Sequence, residues 1–160
     1  RGCRFYEGLV RVPLIVSWPG YVRQGVRSSA LVELTDIAPM LLEQAGQPVP
    51  EEMQGKSLWP ILAGEESPDR HRDFVRCEYY DALDQPDGTH GTMYRDTRFK
   101  LCVYHGHNLG ELYDLDEDPD EFTNLWNNSN YQTIKLDLMQ RSFDASMLAM
   151  DPGSPRIGPM

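Results

Sequence analysis

Phe74-Val-Arg-Cys-Glu-Tyr-Tyr80, Thr92-Met-Tyr94, Phe99-Lys-Leu-Cys-Val-Tyr104 and Glu111-Leu-Tyr-Asp-Leu115 are short runs rich in aromatic and β-branched residues. That composition suits a pleated, half-buried surface. The segments between them carry turn chemistry. Asp81 to Gly91 is a polar loop with Pro86 and Asp87-Gly88, Arg95-Asp-Thr-Arg98 joins the second and third runs, and His105 to Gly110 is a turn. Connections this short join antiparallel neighbours. The stretch therefore predicts a small antiparallel sheet.

The sheet needs a cover for its apolar face. A helix is predicted from about Asn130 to Met150, with Tyr131, Ile134, Leu138, Ser142 and Met147 on one face and Asp151-Pro-Gly153 as its stop. On the other side, the chain before Pro68 reads differently. Val12 to Trp18 is almost wholly apolar and ends at Pro19-Gly20, the pattern of a strand covered on both faces. A helix of about ten residues follows. Its N-cap is read as Thr35, with Asp36 placed against the helix dipole, Pro39 near the first turn and Gly46 as the stop. Gln47 to Gly64 is a connector, with at most a short helix in Ser57-Leu-Trp-Pro-Ile-Leu62. The fold class is α+β, divided at residues 1–66 and 67–160.

The 160 residues suffice for one domain with a real core, and 40% hydrophobic content argues against wholesale disorder. A formal net charge of -10 disfavours nucleic acid and anionic membranes as partners, because phosphate contacts need a basic surface. Cys3, Cys77 and Cys102 are spaced for neither a metal knuckle nor a redox pair. Cys77 and Cys102 lie in strand-like runs and read as small buried hydrophobes. No segment reaches the roughly 18 apolar residues of a membrane-spanning helix.

Several motifs resemble the sulfatase family in order along the chain. Arg1-Gly2 followed by Tyr6-Glu7, Arg11-Val-Pro-Leu-Ile15 and Pro19-Gly20 is similar to the segment after the sulfatase metal site. Asp36-Ile-Ala-Pro-Met-Leu-Leu42, Gln54-Gly-Lys-Ser-Leu58 and Arg98-Phe-Lys-Leu101 continue the likeness. Glu111-Leu-Tyr-Asp-Leu115, Asp118-Pro-Asp-Glu121 and Asn124-Leu125 complete it. The resemblance implies the C-terminal portion of a sulfatase. Residues 1–66 would end the large α/β domain, and 67–160 would form the C-terminal subdomain, an antiparallel sheet packed on a helix.

The resemblance also implies a sulfate-ester substrate, a calcium ion and a formylglycine made from the Cys or Ser of a Cys/Ser-Xaa-Pro-Xaa-Arg motif. No Cys or Ser here begins that motif, and no Asp-Asp pair is present. Nucleophile and metal ligands are thus expected upstream, and the chain alone is expected to be inactive. Related hydrolases of phosphonate or phosphate esters share the opening segment and remain an alternative. So does a non-catalytic module that pairs with a second copy through its exposed first strand. Many relatives are exported, which leaves a periplasmic or extracellular location open.

For substrate binding, Arg1 stands where the family has a sulfate-contacting Lys. A guanidinium keeps the charge and can grip two sulfate oxygens, but it has no proton to give near neutral pH. His90, in Asp87-Gly-Thr-His-Gly91, belongs to a loop that the family places beside the cleft. His105-Gly-His107 reads as a solvated turn, and Arg95 and Arg98 as a solvated hairpin. The acidic run Asp114 to Glu121 lacks the Gly and Glu positions of an EF-hand and reads as a turn of solvated carboxylates.

Overall fold

The computed structural model describes residues 4–81 and 89–150. Arg1, Cys3, Pro86, Asp87-Gly88 and the stop at Asp151-Pro-Gly153 lie outside the described residues. The predicted sheet is present, with four antiparallel strands in the order β1-β2-β3-β4. They are β1 (Val75–Tyr80), β2 (His90–Arg95), β3 (Phe99–His105) and β4 (Leu109–Asp114). Register follows the turns, with Cys77 opposite Met93, Met93 opposite Cys102 and Cys102 opposite Glu111. Asp96 closes the β2–β3 turn by accepting from the backbone N–H of Arg98 and Phe99 at 2.8 and 2.7 Å, an Asx turn.

One face of the sheet carries Tyr94, Leu101 and Leu112, packed against Leu138 and Ala145 of the last helix. Phe74, Val103, Trp126 and Ile134 surround that core. The opposite face carries Met93, Cys102 and Tyr104, covered by Phe5 and Val10 from the start of the chain. Alternation along each strand thus serves two separate apolar layers.

The helices are α1 (Glu7–Val10), α2 (Ile37–Gln44), α3 (Trp59–Ala63) and α4 (Gln132–Leu148). Helix α2 starts two residues after the expected cap. A 3₁₀ turn over Leu34–Asp36 precedes it, with a capping box between Glu33 and Asp36. In α4 the inward face is Leu138, Ser142 and Ala145, whereas Met147 is exposed.

The expected strand at 12–18 is not formed. The segment has no regular secondary structure and is largely exposed, with Ile15 at 89% exposure. Its apolar composition is real, but a strand requires a paired neighbour, and the one sheet of the described residues is built from β1–β4. The ladder pairing proposed through that strand therefore has no strand to start from. Among the described residues, no helix is long and apolar enough to cross a membrane.

Candidate functional site

Phe5 fixes the start of the chain on the sheet. Its ring is 2% exposed and lies 5.4 Å from the Tyr79 ring and 6.4 Å from that of Tyr104. The site beneath it is Gly91. A Cβ added there would come within 2.6 Å of Tyr79 Cε1 and 3.0 Å of Phe5 Cε2. Gly91→Ala is expected to lift Phe5 from the sheet and to cost about 1–3 kcal/mol, read as a fall in urea midpoint.

Charged contacts flank this ring on both sides. Before it, Arg4 Nη1 donates to Glu111 Oε1 at 3.2 Å, and the guanidinium lies 5.1 Å from the centre of the Tyr104 ring. Tyr104 Oη donates to the same oxygen at 3.3 Å. After it, the Glu7 backbone N–H donates to Glu121 Oε2 at 2.6 Å. Lys100 Nζ, wholly buried, bridges Glu7 Oε1 at 2.9 Å and Glu121 Oε1 at 2.8 Å. Arg95 Nε stands 3.3 Å from Glu7 Oε1. A lysine in the middle of the apolar β3 run is tolerable only because two carboxylates meet it.

The sequence reading of the acidic run needs correction. Asp114 and Glu121 are buried, at 1% and 8% exposure. Glu121 serves Lys100, and Asp114 accepts from Arg98 Nε and Nη2 at 2.9 and 2.7 Å. Arg95 and Arg98 are accordingly ion-paired, not merely solvated. Asp118 is the true turn residue, accepting from the N–H of Phe122 and Thr123.

Hydrogen bonding from Arg98 holds the Asp114 carboxyl below the ordinary carboxylate range, although its burial acts the other way. A depressed folded-state pKa gives stability that is present above the unfolded value of about 3.9 and lost as pH falls through the folded one. Thermal melts taken below about pH 4 should therefore fall less steeply for Asp114→Asn than for the unaltered protein.

Arg1 lies outside the described residues, three positions ahead of the anchored Arg4. His90 opens β2, half-buried, with its ring 4.1 Å from that of Tyr80. It directly precedes Gly91, the position under Phe5, so by alternation along β2 its side chain belongs to the opposite face of the sheet from the anchored segment. His105 is the last residue of β3, opposite His90, instead of part of the turn, and His107 lies in the turn; both are exposed, and His105 Nε2 is 2.9 Å from Thr92 Oγ1. Cys102 is buried, and burial pushes its thiol pKa up, in keeping with a packing role. Among the described residues no group of three or more His, Cys, Asp or Glu side chains could hold a metal ion.

A second charged centre escaped the sequence reading. Asp36 is wholly buried and accepts from the backbone N–H of Glu33 at 2.9 Å, from that of Lys56 at 2.8 Å, and from Arg72 Nη2. His71 Nε2 stands 3.3 Å from Asp36 Oδ2 without the alignment of a hydrogen bond. Burial lowers the His71 pKa, against the pull of Asp36 and with the push of Lys56 and Arg72. This centre ties the connector and β1 to the start of α2.

The family model described as N-sulphoglucosamine sulphohydrolase, C-terminal, matches residues 3–147. An N-acetylglucosamine-6-O-sulfatase of Bacteroides thetaiotaomicron is 34% identical over 137 residues, covering 84% of this chain and 25% of the relative. A solved 2-O GAG sulfatase superposes with a TM-score of 0.63 at 32% identity, over 72% of this chain and 25% of that one. A phosphonate monoester hydrolase from Silicibacter pomeroyi gives 0.63 at 25% identity, over 73% and 25%. The chain thus spans about a quarter of the length of the curated relative it matches.

Proposed function

The chain belongs to the N-sulphoglucosamine sulphohydrolase C-terminal family, and from that premise we propose that it is the C-terminal part of a sulfatase that hydrolyses sulfated carbohydrates or aryl sulfates. The match over residues 3–147 carries this reading. In it, residues 1–66 end a large α/β domain, and 67–160 are the subdomain of the sheet and α4. The exposed apolar ribbon at 12–18 then completes a sheet whose other strands come from the rest of that domain. This supplies the two-sided burial that its composition asks for.

Within the site, Arg1 binds the sulfate of the substrate through its planar fork, and His90 contributes a substrate contact from the sheet end. A guanidinium stays charged near neutral pH, so Arg1 orients and holds the ester and transfers no proton. The formylglycine and calcium of sulfatase chemistry come from outside this chain, which alone is inactive.

The likeness to phosphonate monoester hydrolases keeps that second substrate class in the test. Full-length protein should release sulfate from sulfated sugars or aryl sulfates in preference to cleaving phosphonate monoesters. Arg1→Ala should raise KM at least about tenfold, the loss of a charge-assisted contact. A preference for phosphonate monoesters would move the chain to the second class. An unchanged KM in both Arg1→Ala and His90→Ala would remove these residues from the site.

A further inference from the structure

Helix α4 is apolar on two sides. Its inward side sets Leu138 and Ala145 against the sheet. Its outward side carries Leu136, Met139, Phe143 and Met147, and Met150 follows one residue beyond the C-cap; all five are between 39 and 69% exposed. Steps of 3, 4, 4 and 3 residues line them up along one side of the helix. A surface helix ordinarily turns a polar side to water, and one that is apolar on both sides is a buried helix. The outer stripe is missing its cover.

The stripe is a continuous patch. At about 150–200 Å² for a large side chain, these exposures leave roughly 500 Å² of it open. Contiguous apolar patches of that order mark interaction surfaces. Two such stripes together bury roughly 1,000 Å², the size at which specific interfaces begin, before flanking polar side chains add to it.

The spacing points to the occupant. Counted from Phe143, the stripe runs −7, −4, 0, +4 and +7, so it reads alike in both directions. A two-fold interface sets one patch against itself and requires this self-complementarity. Two α4 helices laid antiparallel, with the axis at Phe143, bring Met139 against Met147 of the other copy and Leu136 against Met150. We infer that the outer face of α4 is the interface of a homodimer, paired antiparallel about Phe143.

The rest of the same protein fits the stripe less well. In the proposed function it joins through the opening segment, and Phe5 and Val10 hold that segment on the other face of the sheet from α4. This step rests on that reading, whereas the symmetry of the stripe does not.

Sedimentation equilibrium of the full-length protein, from about 1 to about 100 µM, tests the interface by mass action. The unaltered protein should pass from one chain to two as concentration rises. Phe143→Asp should raise the dimer dissociation constant at least about thirtyfold, the loss of a central aromatic anchor. Phe122→Asp alters an equally open ring in the loop between β4 and α4 and should leave the constant in place. Phe143→Cys meets itself on the axis and should give a disulfide-linked pair under mild oxidation. Leu136→Cys should link only to a copy carrying Met150→Cys.

Where Phe143→Asp does not fold, Met147→Asp is read instead and should give a smaller rise of the same kind. A single-chain mass over the whole range would overturn the inference, as would an unaltered dissociation constant in the α4 variant. Sulfate-ester hydrolysis is assayed alongside. A dimer that the α4 variant splits but that cleaves no sulfate ester keeps the interface and overturns the sulfatase reading instead.

Discussion

Replacing Lys100 with Met should lower the unfolding free energy by about 3–5 kcal/mol. The ammonium is wholly buried between Glu7 and Glu121 at 2.9 and 2.8 Å. Its removal strands two carboxylates against each other in a low-dielectric layer, and the cost is that of uncompensated charge, not of lost packing. The backbone tether at Glu7 depends on the same Glu121 carboxylate, so the opening segment should loosen as well. Urea unfolding followed by tryptophan fluorescence reads the first effect, and amide exchange over residues 5–10 reads the second. The triple variant Lys100→Met with Glu7→Gln and Glu121→Gln should recover part of the loss, because both carboxylates are gone; Arg95, which then loses Glu7, limits the recovery. A triple variant no more stable than Lys100→Met would show that the lysine acts through its packing.

Asp36→Ala should be comparably damaging, about 3–5 kcal/mol. Its carboxylate takes two backbone N–H groups and the Arg72 guanidinium, and His71 faces it. Truncation leaves both N–H groups without an acceptor in a buried site, and leaves Arg72 with Glu33 in place of two carboxylates. Asp36→Asn keeps the shape and one acceptor but loses one of the two charges that Arg72 meets, and should cost less. Equal melting temperatures for Asp36→Ala and the unaltered protein would rule out the hub.

The sheet was legible because its signals are local. Aromatic and β-branched runs joined by short turns leave few other arrangements, and the strand ends moved by only one or two residues. The ribbon at 12–18 failed for a physical reason. An apolar run reports a demand for burial, but a strand also needs a hydrogen-bonding neighbour, and none of the described residues provides one.

The buried charges were harder to see. A carboxylate in an acidic run looks the same whether it faces water or a lysine. The usable signal lay in β3, where Lys100 interrupts Phe99–Tyr104 at an inward position and so demands a counter-charge. Asp36 and Arg72 meet across 36 residues, a pairing that no spacing rule anticipates. Arg1 and His90 rest on resemblance. The structure adds that His90 neighbours the Gly91 on which Phe5 sits, and that the segment behind Arg1 is held by charge at two points.

Sulfate release from sulfated monosaccharides and aryl sulfates, measured side by side for the full-length protein and for this 160-residue chain, tests the central claim most directly. The account predicts turnover by the full-length protein and none by the chain alone. Chelator-sensitive turnover by the chain alone would contradict it, because the chain would then hold a complete catalytic site.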